Sequence, residues 1–205
     1  MPTNDTFADA LARVTELSGE ASSLADLARR YSYVLPEPRV LGVLRSLAPL
    51  IEIGAGTGYW AHRLRQLHTN ILAFDQNPPV QPNVNRYHPD AGTWTEVLAG
   101  DQAVLPSYPQ RALFVCWPPL YSSLGNCLTF YQGDTVAWIG DAGFRTAIAS
   151  GLARSFEQVA AYPVRALEPW PGTQPTLTVW RRLPQPRSVM RTSAPRRAPA
   201  GSGDT

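Results

Sequence analysis

A short apolar run, Pro49-Leu50-Ile51-Glu52-Ile53, ends in glycines at every second position, Gly54, Gly56 and Gly58. The chain then continues through Tyr59 and Trp60 into a segment of helical composition reaching Leu67. Strand, tight turn and helix in that order constrain the fold more than any other stretch of this chain. A backbone that must approach a ligand closely uses torsions and clearances that a side chain forbids, which is the physical reason for glycine here. The stretch reads as a nucleotide-cofactor cradle, and its spacing narrows the cofactor. A dinucleotide turn runs G-x-G-x-x-G, but the sixth position here is Tyr59, so the pattern is G-x-G-x-G preceded by the acidic Glu52. Seventeen residues beyond Gly58, Asp75 closes a second apolar run, Ile71-Leu72-Ala73-Phe74-Asp75.

The rest of the chain is organised around that unit. Asn4 to Arg30 is helical, with Phe7, Leu11, Val14 and Leu17 on one face and a break at Ser18-Gly19. Pro36 and Pro38 make Tyr31 to Pro38 an extended connector, and a helix from about Pro38 to Leu47 follows. Further strands are expected near Glu96–Ala99, Leu113–Cys116 and Thr135–Ile139, which argues for a parallel sheet with helices on both faces. Phe156–Pro163 and Leu177–Arg182 are separated by turn-rich sequence with no room for a crossover helix, so they pair antiparallel. The expected divisions are a helical segment and connector at 1–35, the main domain at 36–182, and a disordered Pro/Ser/Arg/Gly tail at 183–205.

At 205 residues, 44% of them hydrophobic and 17% charged, the chain can bury a normal core. No apolar run approaches the ~20 residues of a membrane span, and the N-terminus lacks signal-peptide features, so a cytoplasmic protein with no membrane partner is expected. Cys116 and Cys127 are too few for a disulfide framework and have no zinc spacing with His62, His68 or His88, so no metal is expected. All eighteen basic residues are arginine, for a net charge of +2. Without Arg187, Arg191, Arg196, Arg197 and Asp204 the remainder is close to −1. That is not the basic excess of a dedicated nucleic-acid binder.

The G-x-G-x-G turn with Glu52 before it and Asp75 after it resembles motif I of the class I S-adenosylmethionine-dependent methyltransferases. The resemblance implies a single α/β, Rossmann-like methyltransferase domain. Its sheet would be seven-stranded and mostly parallel, with a C-terminal antiparallel hairpin and helices on both faces. It also implies S-adenosyl-L-methionine as cofactor. The loop, Gly54, Ala55, Gly56 and Gly58 with Glu52, Tyr59 and Trp60, would lie against the methionine part. Asp75, with Gln76 beside it, would hold the ribose hydroxyls. Gly100-Asp101 is similar to the position that binds the adenine amino group, and Cys116 completes the cofactor set.

Leu113-Phe114-Val115-Cys116-Trp117-Pro118-Pro119-Leu120-Tyr121 resembles a diverged Asp/Asn-Pro-Pro-Tyr/Phe tetrapeptide of methyltransferases acting on planar nitrogens. Trp117 replaces the polar residue and Leu120 the aromatic, so methylation of a nucleobase amine does not simply carry over. The backbone carbonyls of Cys116 and Trp117 could still orient a nitrogen, with Trp117, Pro118 and Tyr121 shaping the acceptor pocket. His88, in Arg86-Tyr87-His88-Pro89-Asp90, is a candidate base; the alternative is a solvated turn residue. Tyr31, Tyr33, Trp60, Trp117, Tyr121 and Trp170 could wall a pocket for a flat or cationic acceptor. A little-described group of methyltransferase-like proteins shares Ile-Gly-Ala-Gly-Thr-Gly-Tyr-Trp and Cys-Trp-Pro-Pro with this chain. The expectation is methyl transfer to a small-molecule or peptide acceptor, favouring nitrogen. The alternatives are a nucleic-acid amine methyltransferase, or an inactive cofactor-binding regulatory protein.

Overall fold

The computed structural model describes residues 21–118, 124–141, 151–167 and 174–184. In chain order the elements are α1 (Ala21–Arg30), α2 (Pro38–Ser46), β1 (Leu50–Ile53), α3 (Tyr59–Gln66), β2 (Ile71–Asp75) and β3 (Leu98–Ala99). There follow a 3-10 helix (Gln102–Ser107), β4 (Ala112–Cys116), α4 (Leu124–Phe130), β5 (Thr135–Asp141), β6 (Phe156–Pro163) and β7 (Pro175–Arg182). The strands form one sheet in the order β3-β2-β1-β4-β5-β7-β6. β1 to β5 run parallel, and β7 runs antiparallel to both neighbours. The expected mostly parallel α/β sheet with a terminal antiparallel hairpin is therefore the one observed.

Every residue of β1 is buried, as a central strand covered on both faces must be. Leu50 packs with Leu44 of α2, Leu64 of α3 and Phe114. Ile51 and Ile53 face the opposite layer with Leu105 of the 3-10 helix, Cys127 of α4 and Leu152. Pro38 opens α2, where its missing N–H would have had no helical partner. A third cluster joins Leu27, Ala28, Tyr31 and Leu35 to Tyr59 and Leu167. The connector is also hydrogen-bonded to the main sheet's side of the molecule: Leu35 N donates to Arg165 O, and Leu167 N donates to Tyr33 O.

Three strand bounds differ from expectation by two residues. The third strand begins at Leu98 rather than Glu96, and ahead of it the Glu96 carbonyl accepts from the Arg65 guanidinium at 2.9 Å. β5 runs on to Asp141 and β7 starts at Pro175, since the antiparallel pairing continues through Gly140–Thr176 to Asp141–Pro175. The expected N-terminal helix is observed from Ala21; Phe7, Leu11, Val14 and Leu17 lie outside the described residues, as do Tyr121, Trp170 and the tail from 185.

Candidate cofactor site

The parallel strands bring their carboxyl ends to one edge, the usual ligand side of an open α/β sheet. Strand order then fixes the sequence of functional groups along that edge. Asp75 ends β2, Gly54 follows β1, and Trp117 follows β4 on the other side of β1.

The glycine loop is pinned to β2. Gly54 N and Ala55 N both donate to Phe74 O, at 2.9 and 3.0 Å, and Gly56 N donates to Asp75 Oδ2 at 2.8 Å. Gly54, Gly56 and Gly58 all have positive φ. Their surroundings separate their roles. A Cβ on Gly58 would lie 2.5 Å from the Val97 side chain, and one on Gly56 would lie 2.5 Å from His88 Nε2. Gly54 alone of the three has open space on its Cβ side, with nothing within 4 Å. The loop is therefore open at Gly54, while Gly56 and Gly58 accommodate the protein's own side chains.

Two carboxyls belong to the strands that carry the loop, Asp75 at the end of β2 and Glu52 within β1. Asp75 is half-buried; besides Gly56 N on Oδ2, its Oδ1 accepts from Asn77 N at 2.8 Å and Asn85 Nδ2 at 3.5 Å. Glu52 is 1% exposed and its Oε2 has no hydrogen-bond partner. It pairs in register with Ala73 and Phe114, so it shares their face, where Trp60 packs edge-on against Phe114. Burial raises its pKa from 4.5 to about 8; Arg65 opposes the shift and Asp75 adds to it. Burial, with the Glu52 charge, also pushes the Cys116 thiol well above its ordinary value, against a Trp60 hydrogen bond, so Cys116 is not a thiolate at neutral pH.

Several expected cofactor residues have structural duties. Tyr59 is buried against Tyr31 and Trp94, and the Trp60 indole donates to Ser32 Oγ at 3.0 Å. Both side chains are about 3% exposed, so packing around the loop, not its open face, is where they lie. Asp101 caps the 3-10 helix, accepting from Ala103 N at 2.9 Å, and Gly100 N donates to Asp75 O. Gln76 is exposed next to Asp75. Of the residues expected at an acceptor site, Trp117 is half-buried in the left-handed region at φ 49°, its N–H donating to Ile139 O at 2.8 Å, and Pro118 follows. A bulky residue held there is strained, and such strain collects at functional sites.

His88 is not a solvated turn residue. It is 7% exposed, with its ring against Gly56 and Nδ1 2.6 Å from Arg29 O. That places it at the β2 side of the loop. Its position depends on residues that sequence reading missed. Asn85 Oδ1 accepts from Tyr87 N and His88 N, while Asn83 Nδ2 donates to His88 O, Pro89 O and Ala91 O. The Asn-x-Asn spacing in a proline-flanked loop was the available signal, since asparagine amides substitute for backbone partners in turns. Thr57 and Trp94 were also missed. Thr57 Oγ1 donates to Tyr31 O at 2.5 Å and Trp94 Nε1 to Arg30 O at 2.9 Å, so with His88 they satisfy three successive carbonyls at the end of α1. A cleft of about 600 Å³ lies beside this junction, between Arg29 and Arg30 of α1 and Asp90 to Trp94, and is lined by none of the expected cofactor residues.

No family model matches the sequence, and no curated protein does. Among solved structures the chain is similar to the precorrin-6y C5,15-methyltransferase of Geobacter metallireducens GS-15, at 12% identity and TM-score 0.46, covering 75% of this chain and 93% of that one. It is similar to TrmN from Thermus thermophilus at 16% identity and TM-score 0.45, covering 77% of this chain and 53%, about half, of that protein. For the 23S rRNA methyltransferase ErmE the values are 17% and 0.49, with 75% and 71% covered. Among the described residues no helix is long and apolar enough to cross a membrane.

Proposed function

We propose that the chain is an S-adenosylmethionine-dependent methyltransferase acting on a nitrogen of a small-molecule or peptide acceptor. The observation that carries this reading is the opening at Gly54 in a loop bonded through Gly56 to the half-buried Asp75, with the buried Glu52, whose Oε2 lacks a partner, two residues before Gly54. A carboxylate at the surface suits a ribose diol, which presents two donors. A buried carboxyl with an unused oxygen suits a cationic ligand, because the incoming charge offsets the cost of ionising it. A nucleoside joined to an ammonium-bearing chain satisfies both.

When bound, S-adenosylmethionine supplies an electrophilic methyl on sulfur. The chain's own task is to hold an acceptor in line with it, and positioning of that kind contributes much of the acceleration. Trp117, held between the Ile139 carbonyl and Pro118 at the end of β4, offers a fixed indole wall for a flat or cationic acceptor. A neutral amine acceptor needs no side-chain base. Burial holds the Cys116 thiol in its protonated form, which favours transfer directly to the acceptor over a cysteine-bound methyl.

Calorimetric titration with S-adenosylmethionine, S-adenosylhomocysteine and NAD tests the cofactor. Binding of the two S-adenosyl compounds and not of NAD is expected; preference for NAD, or no binding, overturns the reading. A labelled-methyl assay on cell extract, fractionated into small molecules, peptides and nucleic acid, then locates the acceptor. Label confined to nucleic acid replaces the proposed acceptor class.

A further inference from the structure

Resting on that cofactor reading, we infer that His88 is a direct nucleoside ligand: its Nε2, presented beside Gly56, accepts a hydrogen bond from a ribose hydroxyl alongside Asp75. The tautomer follows from geometry. Nδ1 is 2.6 Å from the Arg29 carbonyl oxygen, which can only accept, so Nδ1 carries the proton and Nε2 a lone pair. That lone pair has no hydrogen-bond partner among the described residues, although the ring is only 7% exposed. The ring is largely buried while Nε2 itself keeps solvent access, an open lone pair that a ligand can reach and complete.

The position fits a ribose. The Nε2 edge of the ring lies against Gly56, and the N–H of the same glycine is bonded to Asp75 Oδ2. Imidazole and carboxylate thus flank one loop residue. Asp75 has already given lone pairs to Gly56, Asn77 and Asn85, so a diol gains from a second acceptor nearby. The loop holds His88 in place through Asn85 Oδ1, which receives its N–H at 3.0 Å, and through Asn83, which donates to its carbonyl. Around the ring stand the Asp75 carboxylate from β2, the Tyr33 ring at 5.7 Å, and Arg29 of α1, whose guanidinium is paired with Asp26. Burial outweighs the Arg29 hydrogen bond and the Asp75 charge and keeps the imidazole pKa below 6.5, so the lone pair is present at neutral pH. This assignment differs from the base expected of His88, because an acceptor beside Trp117 lies across β1 from it.

Two near-isosteric variants separate a ligand from a packing residue. His88→Asn keeps an amide near the Nδ1 position, able to bond Arg29 O, and leaves the Nε2 position empty. His88→Gln places an amide at the Nε2 position instead. Calorimetry with S-adenosylhomocysteine at pH 7.5 is expected to show about tenfold weaker binding for His88→Asn, the scale of one lost hydrogen bond, with His88→Gln recovering part of it. Analogues lacking the 2′- or the 3′-hydroxyl are expected to bind wild type more weakly, and for one of them the His88→Asn variant shows no further loss. In wild type, affinity for the full nucleoside falls as the pH drops from 6.5 toward 5, and the analogue lacking the contacted hydroxyl shows no such fall. His88→Asn binding as tightly as wild type, or hydroxyl and histidine losses that simply add, overturns the assignment alone. If neither variant folds, the wild-type pH series decides, and an identical pH dependence for all three ligands overturns it. Failure of wild type to bind S-adenosylhomocysteine overturns the methyltransferase reading and this one together.

Discussion

Single residues divide into those that shape the cradle and those left open to the proposed cofactor. Gly54→Ala adds a methyl to open space at φ 75°, so the expected cost is about 1–2 kcal/mol of left-handed strain together with weakened cofactor binding. Gly56→Ala carries the same strain and also drives a methyl into the anchored His88 ring. It should melt lower than Gly54→Ala and bind poorly through displaced His88, and equal melting of the two variants would count against this division. Asp75→Ala removes both the proposed ribose acceptor and the partner of Gly56 N. Calorimetry should show about 1.5–3 kcal/mol less binding energy, with a lower melting temperature as well. Unchanged affinity in the folded variant removes Asp75 from the site. Trp117→Phe should keep cofactor affinity within about twofold, well under 1 kcal/mol, while acceptor turnover changes. Turnover equal to wild type would take Trp117 out of the acceptor pocket.

At the scale of elements, the coupling of α1 to the glycine loop stands out. Three consecutive carbonyls, of Arg29, Arg30 and Tyr31, accept from His88, Trp94 and Thr57, which belong to the 76–97 loop and the cradle itself. Helix ends need such partners for their last carbonyls, and here the partners come from the glycine loop and the loop after β2. Thr57→Val removes one of them at nearly constant volume. It should cost about 1 kcal/mol and speed amide exchange in α1, and bound S-adenosylhomocysteine should slow exchange there in wild type. Exchange in α1 that ignores both the variant and the ligand would show that the helix and the cradle are energetically separate.

Across the whole molecule, two buried titratable groups act in opposite directions with pH. The folded Glu52 carboxyl keeps its proton to about pH 8 while an unfolded one loses it near 4.5, so the folded state binds more protons in that window and stability falls as pH rises through it. His88 is the reverse. Its folded pKa lies below 6.5, so the unfolded state binds more protons as the pH drops below that value, and stability falls on acidification. Glu52→Gln should remove the alkaline loss and melt above wild type at pH 8.5 by about 4 °C or more, since even 1–2 kcal/mol, a fraction of what the pKa shift implies, moves the melting point that far in a domain of this size. The gap should close by pH 5, and a gap independent of pH would show that Glu52 is not ionising in the fold.

What the sequence determined by itself was everything carried by local pattern. Apolar runs bounded by glycine and proline placed β1, β2, β4 and β6 to within a residue, and the turn-rich stretch before Pro175 required an antiparallel hairpin. The spacing of Gly54, Gly56 and Gly58 marked the cradle because backbone torsion is a property of the residue in its own turn. Only the tertiary structure decided which glycine is open, because the contacts at issue join distant parts of the chain. Gly56 meets Asp75 across 19 residues, and His88 meets Arg29 across 59. No periodicity in a sequence encodes such pairings. They depend on where the sheet sets its strand ends and on how Asn83 and Asn85 fold the loop between β2 and β3 back over them. Glu52 makes the same point: its place beside the cradle was legible, but its unpaired oxygen and raised pKa follow from being enclosed by strands on both sides and by Trp60 above.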